Sequence, residues 1–231
     1  QLRDMDIQMN FTENAYSSVL ISFGKTRVLC TASVEHSVPR FLRDSGKGWV
    51  TAEYSMLPAS TNERMRREVS KGKQSGRTME IQRLIGRSLR AAIDLEALGE
   101  ISIVIDCDVI QADGGTRTTA ITGGMIVLYD AVQKLLKEGS IQKNPITQMV
   151  SAISVGLVKG EVLLDLDYEE DSGAEVDLNL VMTEAGEFIE IQGTAEEKPF
   201  TSDHLAAFIS VGSQGIQTII EKVKSTVLTT A

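Results

Sequence analysis

A chain of 231 residues with 42% hydrophobic content can bury one ordinary core, or two closely fused halves. No stretch approaches the roughly 18 apolar residues of a membrane helix, and the opening QLRDMDIQMN lacks the charged-then-apolar pattern of a secretion signal. A soluble cytoplasmic protein with no membrane partner is expected, the ordered part of a slightly longer chain.

The net charge of −9 speaks against nucleic acid only until its distribution is read. Residues 62–90 hold nine basic side chains against three acidic ones, a local +6 that leaves −15 for the rest. A chain this polarised turns one basic surface to a polyanion, although a solvated charged loop is the plainer reading of such a run.

In chain order, SVLISFGKTRVLCTASV reads as two strands around a Gly24-Lys25 turn, a hairpin. Cys30 here and Cys107 in IVIDCDVI fall in strand-like runs, where burial as small apolar side chains is expected rather than a disulfide or a zinc site. His36 and His204 lack a Ser or Cys partner in a recognisable motif, which argues against a histidine-driven nucleophile.

GWVTAEYSMLPASTNERMRREVSKGKQSG is long and weakly patterned, and a loop of that size is functional or disordered. A helix is predicted over about residues 78–98, with Ile81, Leu84, Ile85, Leu89, Ala92 and Ile93 facing the core. On it Arg83, Arg87 and Arg90 share a face. A second helix is predicted over about 118–137, stopped near Gly139.

AISVGLVKGEVLLDLDYEED repeats the hairpin plan about 130 residues after the first, with Lys159-Gly160 at the turn. Alternation sets Val162, Leu164, Leu166 and Tyr168 on one strand face, and Val176, Leu178 and Leu180 on the next. A last helix over about 202–227 is expected to break or kink at Gly212 and Gly215. The plan is a duplicated α+β unit, with halves at roughly 1–140 and 141–231.

Three constellations carry chemistry. QADGGTRTTAITGG places glycines, Thr116 and Arg117 where a strand hands over to a helix, whose first N–H groups can hold an anion. It lacks P-loop spacing, and alone GGTRT is more often a glycine turn before a capped helix. SGRT puts Arg77 at a second helix start, and the two can converge on one phosphate.

The third is acidic. Asp171 and Asp177 flank the connection SGAEV, where two close carboxylates need a proton or a divalent cation between them. Magnesium, Mg2+, suits one or two carboxylates plus substrate phosphate oxygens. Asp165, Asp167 and Glu169 read as no more than a solvated hairpin. Cradle, acids and basic loop together point to phosphoryl chemistry on RNA or nucleotides, with inorganic phosphate as an already anionic nucleophile.

The stretches GKGWVTAEYSMLP, GRTMEIQRLIGRSLRAAIDL, DCDVIQADGGTRT, YEEDSGAEVDLNLVMT and EIQGTAEE closely resemble bacterial ribonuclease PH, in order and over essentially the whole chain. The resemblance implies a single domain of the ribosomal protein S5 domain 2-like type and a phosphate-dependent 3′→5′ exoribonuclease that trims tRNA precursors. It implies phosphate held by Arg77, Thr116 and Arg117, catalytic metal-associated acids Asp171 and Asp177, and tRNA contacts from Arg64 and Arg67. It further implies a homohexamer built as a trimer of dimers. The chain departs from the pattern at its opening QLRDMDI, at Ala59 where relatives carry arginine, and at Gly173 where alanine is usual. A non-catalytic RNA-binding ring subunit and a nucleotide-binding regulator are the competing readings.

Overall fold

Turn chemistry sets both hairpins. Strand β1 (Met5–Met9) leads to β2 (Ser17–Phe23) and β3 (Thr26–Glu35), with Gly24 at φ 54° in the turn between them. Lys159 and Gly160, both at positive φ, join β6 (Val150–Val158) to β7 (Glu161–Leu164), completing the second hairpin where its turn residues predict it. The computed structural model describes residues 1–228 apart from 197, and leaves out the side chain of Lys71, one of the basic residues counted above.

Residues 49–56, inside the stretch expected to be a loop, form a strand. Val50, Ala52 and Tyr54 of β4 (Trp49–Met56) point inward while Glu53 and Ser55 face out, the two-residue period of a half-buried strand. It pairs parallel with β5 (Ser102–Gln111) at the edge of a five-stranded sheet ordered β1-β2-β3-β5-β4. Only residues 57–75 remain irregular, with a short 3-10 turn at Glu68–Lys71.

Helix α1 (Gly76–Arg90) buries Ile81, Leu84, Ile85 and Leu89 as predicted, but it stops at Arg90 rather than Leu98. Ile93 leaves the helix to bridge Ile146, and Asp94 accepts from the N–H groups of Glu96 and Ala97. That cap starts a new short helix, α2 (Leu95–Leu98). On α1, Arg90 donates to the Val50 carbonyl and covers the Trp49 ring, and Arg87 pairs with Glu190. Among the described residues Arg83 of that arginine face makes no such tie.

Helix α3 (Thr116–Lys137) is the hinge-pin of the architecture. It packs on β2, β3 and β5 of the first sheet and on β6 of the second, so it is apolar nearly all round. The second sheet, β7-β6-β8-β9, adds β8 (Val176–Thr183) and β9 (Phe188–Ala195), and α5 (Ser202–Val227) covers it. The expected break in α5 is absent. Gly212 is there for close packing: a Cβ on it would stand 2.2 Å from Leu180 Cδ1. The fold is the expected mixed α+β arrangement of two sheet-and-helix halves on one core.

The acidic hairpin also differs from expectation. β7 ends at Leu164, and Asp165 turns inward at φ 59° with 3% exposure, ion-paired to Arg3 at 2.7 Å. Asp165 is therefore no solvated charge. Asp167 and Glu170 then form a reciprocal capping box for α4 (Tyr168–Ser172), so Tyr168 starts a helix instead of extending a strand. Cys30 and Cys107 lie opposite each other in β3 and β5 as buried free thiols, Sγ to Sγ 3.7 Å.

Candidate phosphate and carboxylate site

The cleft is built from the start of α3. Gly114 and Gly115 adopt left-handed φ angles of 71° and 62°, which glycine tolerates without strain. Gly114 is also pressed against the second half: a Cβ there would lie 2.2 Å from the Leu166 carbonyl oxygen. Arg3 donates to the Asp113 carbonyl and, from backbone and side chain, to both Asp165 oxygens, tying this loop to the second half. Gly115 offers no side-chain cap, so the leading N–H groups of α3 are left for an anion.

Thr116 is 7% exposed, and its Oγ1 accepts from the Tyr54 hydroxyl at 2.9 Å. Arg117 Nη1 donates to Gln192 Oε1 at 2.7 Å and lies 3.5 Å from Glu80 Oε2. Arg77 projects from the first turn of α1, which Ser75 caps by accepting from the Thr78 N–H. It is exposed and makes no ion pair among the described residues.

The opposite wall comes from the second half. Asp171 stands on α4, and Asp177 and Asn179 on β8. These side chains line one cleft of about 200 Å³ with Arg77, Thr116 and Arg117. All five residues singled out for phosphate and metal therefore meet, although they come from four different elements. Tyr168, 56% exposed, stands at the rim of the same cleft.

Burial pushes the Asp177 carboxyl up to about 6, the Asp171 charge adds to the rise, and Arg117 opposes it. Asp171 is raised too, chiefly by burial, against the pull of Arg77, Arg117 and Arg3. Among the described residues no hydrogen-bond donor reaches the buried Asp177 Oδ1, and Oδ2 is 3.5 Å from the Asn179 amide. A site with an orphaned carboxylate oxygen and two acids that resist ionisation lacks positive charge, which is what a hard divalent cation supplies. Among the described residues no set of three or more His, Cys, Asp or Glu encloses a metal. The donor set thus fits a cation held by two carboxylates with its other oxygens taken from substrate or water.

Arg64 and Arg67 lie elsewhere. Arg64 is exposed on the 57–75 segment, while Arg67, Arg66 and Lys73 line a larger cavity of about 870 Å³ opposite Glu53, Asp106 and Asp108. Burial and the Glu53 charge raise the Asp106 and Asp108 carboxyls. Arg77 lines both cavities and Thr61 of the 57–75 segment also lines the cleft, whereas Arg64, Arg66, Arg67 and Lys73 do not. Sequence reasoning missed Tyr54, Asn179, Gln192 and the Arg3–Asp165 pair, because each reaches the site only through strand pairing or across the two halves.

The chain matches the family model of the 3′ exoribonuclease family, domain 1, over residues 1–133, and that of domain 2 over residues 148–215. Among solved structures it superposes on rice (Oryza sativa) Rrp46 with a TM-score of 0.78 at 19% identity, covering 98% of this chain and 96% of that one. An Archaeoglobus fulgidus exosome with RNA bound to the active site gives a TM-score of 0.81 at 17% identity, covering 96% and 89%. An archaeal exosome core gives 0.76 at 17% identity, covering 97% and 87%. At such identities the likeness is one of fold.

Proposed function

This chain belongs to the 3′ exoribonuclease (RNase PH) family, and from that premise we propose that it is a phosphorolytic 3′→5′ exoribonuclease. It trims the 3′ ends of tRNA precursors in the cytoplasm and releases nucleoside 5′-diphosphates. The observation that carries this reading is the meeting of Arg77, Thr116, Arg117, Asp171 and Asp177 in one cleft.

Inorganic phosphate binds against the uncapped start of α3, with the Thr116 hydroxyl and the Arg77 and Arg117 guanidiniums around it. These groups hold a phosphate oxygen in line with the last phosphodiester, the orientation on which displacement at phosphorus depends. A P–O bond forms to the incoming phosphate as the bond to the departing 3′ oxygen breaks. Hydrogen phosphate brings the proton that this oxygen takes up. Neither His36 nor His204 lines the cleft, and the chemistry needs neither. Asp171 and Asp177 would hold a divalent cation, Mg2+ in this reading, which would supply charge neutralisation for phosphoryl transfer. Tyr168 offers a π face on which an RNA base can stack.

Arg64 and Arg67 grip the RNA backbone outside the cleft. Assembly into a homohexamer, a trimer of dimers, gathers several such basic segments at one RNA mouth. The exposed Phe188 and Ile191 on the edge strand β9 favour contact between copies. The test is a phosphate-dependence assay on a 3′-extended tRNA. Nucleoside diphosphates should appear only when phosphate is present. RNA binding with no product across a phosphate and magnesium titration would instead identify a silent ring subunit.

A further inference from the structure

We propose that Gln192 is a positioning residue that orients Arg117 for phosphate, an inference resting on the reading of the cleft as a phosphate site. Arg117 is the second residue of α3, and its side chain is only 16% exposed. A guanidinium carries five N–H donors in a planar fork, and a bidentate grip on an oxyanion uses two donors along one edge. Anchoring Nη1 on the Gln192 oxygen at 2.7 Å leaves the Nε and Nη2 donors for phosphate and removes rotation about the end of a long side chain. The same Nη1 already makes a long ion pair with the Glu80 carboxylate at 3.5 Å, and without the tether that pair would tighten and draw the guanidinium toward Glu80.

The strand register explains why Gln192 can do this. β8 and β9 pair antiparallel with Asn179 opposite Gln192, and directly paired residues share a sheet face. Asn179 lines the cleft, so the strand carrying Asp177 also sets the place from which Gln192 reaches Arg117. The neighbouring acid on β9, Glu190, is engaged by Arg87 and does not compete. Neutrality matters as much as reach. An amide oxygen accepts the hydrogen bond without cancelling the charge that recruits phosphate, whereas a carboxylate at the same position would hold Arg117 equally well and neutralise it.

Two substitutions separate tether from charge. Gln192→Met keeps the bulk and removes the acceptor; Gln192→Glu keeps the acceptor and adds a negative charge. In the purified full chain, Gln192→Met should raise KM for phosphate roughly tenfold, about the loss of one charge-assisted hydrogen bond. Its kcat at saturating phosphate and its KM for RNA should stay within about threefold of the wild type. Gln192→Glu should raise KM for phosphate at least as much, since the ion pair competes with the ligand. A merely structural role would lower kcat and RNA affinity together and leave KM for phosphate unmoved. A second readout needs no turnover: the rise in melting temperature with added inorganic phosphate, which follows its affinity. Wild-type protein should gain stability with phosphate, and both variants should need higher concentrations for the same gain. Wild-type response with identical responses in both variants would overturn the tether. A wild type that gains no stability from phosphate and shows no phosphorolysis would overturn the phosphate-site reading itself.

Discussion

The Tyr54 hydroxyl donates to Thr116 Oγ1 across 2.9 Å, joining the edge strand of the first sheet to the helix start that faces the cleft. Tyr54 is 3% exposed and burial raises its phenol, so it remains a neutral donor at any working pH. Because Thr116 Oγ1 is the acceptor in that bond, its own proton remains to be offered to an anion. Tyr54→Phe should cost about 1 kcal/mol of stability, the usual net worth of a buried hydrogen bond. It should also raise KM for phosphate a few-fold, because the threonine rotor is no longer held. Unchanged phosphate kinetics in a correctly folded variant would make the contact purely structural.

Arg117→Ala removes the cation most enclosed by the cleft. Loss of one preorganised electrostatic group typically lowers turnover by about 10²–10³. Binding of RNA, measured by anisotropy without phosphate, should stay near wild type, because the lost group serves the nucleophile. Collapse of RNA affinity, with no activity recovered at high phosphate, would place this arginine on the RNA instead.

Asp177 should leave a mark on stability as well as on activity. Its folded value of about 6 lies above the ordinary 3.8, so the folded protein binds this proton more tightly than the unfolded chain. The stabilisation is complete at acid pH and is lost as pH rises through about 6. In chelator-treated protein, Asp177→Asn should melt higher than wild type at pH 8 and no higher near pH 4. Magnesium should raise the wild-type melting temperature at pH 8 and raise that of the variant less, while the variant loses metal-dependent turnover. Parallel melting curves for the two proteins across the whole pH range would remove Asp177 from the carboxylate pair.

The legible parts of this molecule were those in which one local pattern carries the information. The apolar stripe of α1, the two hairpin turns and the arginine-bearing helix starts at Arg77 and Arg117 needed no partner from elsewhere to be seen. Asp165 shows the limit. Its neighbours in sequence read as a solvated acidic hairpin, but Arg3, 162 positions away, draws it into a buried ion pair. Gly212 and Gly215 show another: helix propensity predicts a break, and packing against Leu180 and Leu164 overrides it. Strand β4 was hidden because its Val50, Ala52, Tyr54 alternation is only three apolar positions long inside a longer, weakly patterned run.

Arg64 and Arg67 supply the test of how the protein divides binding from chemistry. Arg64 is exposed on the irregular 57–75 segment and Arg67 lines the cavity beneath it, both outside the cleft that holds Asp171 and Asp177. Contacts from such residues to a folded RNA go to backbone phosphates, position the substrate without reading sequence, and weaken as salt rises. Replacing both arginines with alanine should raise KM for a tRNA precursor and flatten its salt dependence by roughly one to two units of log–log slope. Turnover on an oligonucleotide too short to span from the cleft to the segment should stay near wild type, because Arg77, Thr116 and Arg117 are untouched. A solvated segment with no RNA role predicts no change on either substrate. Equal losses on long and short RNA would put these arginines at the chemistry, contrary to their place outside the cleft.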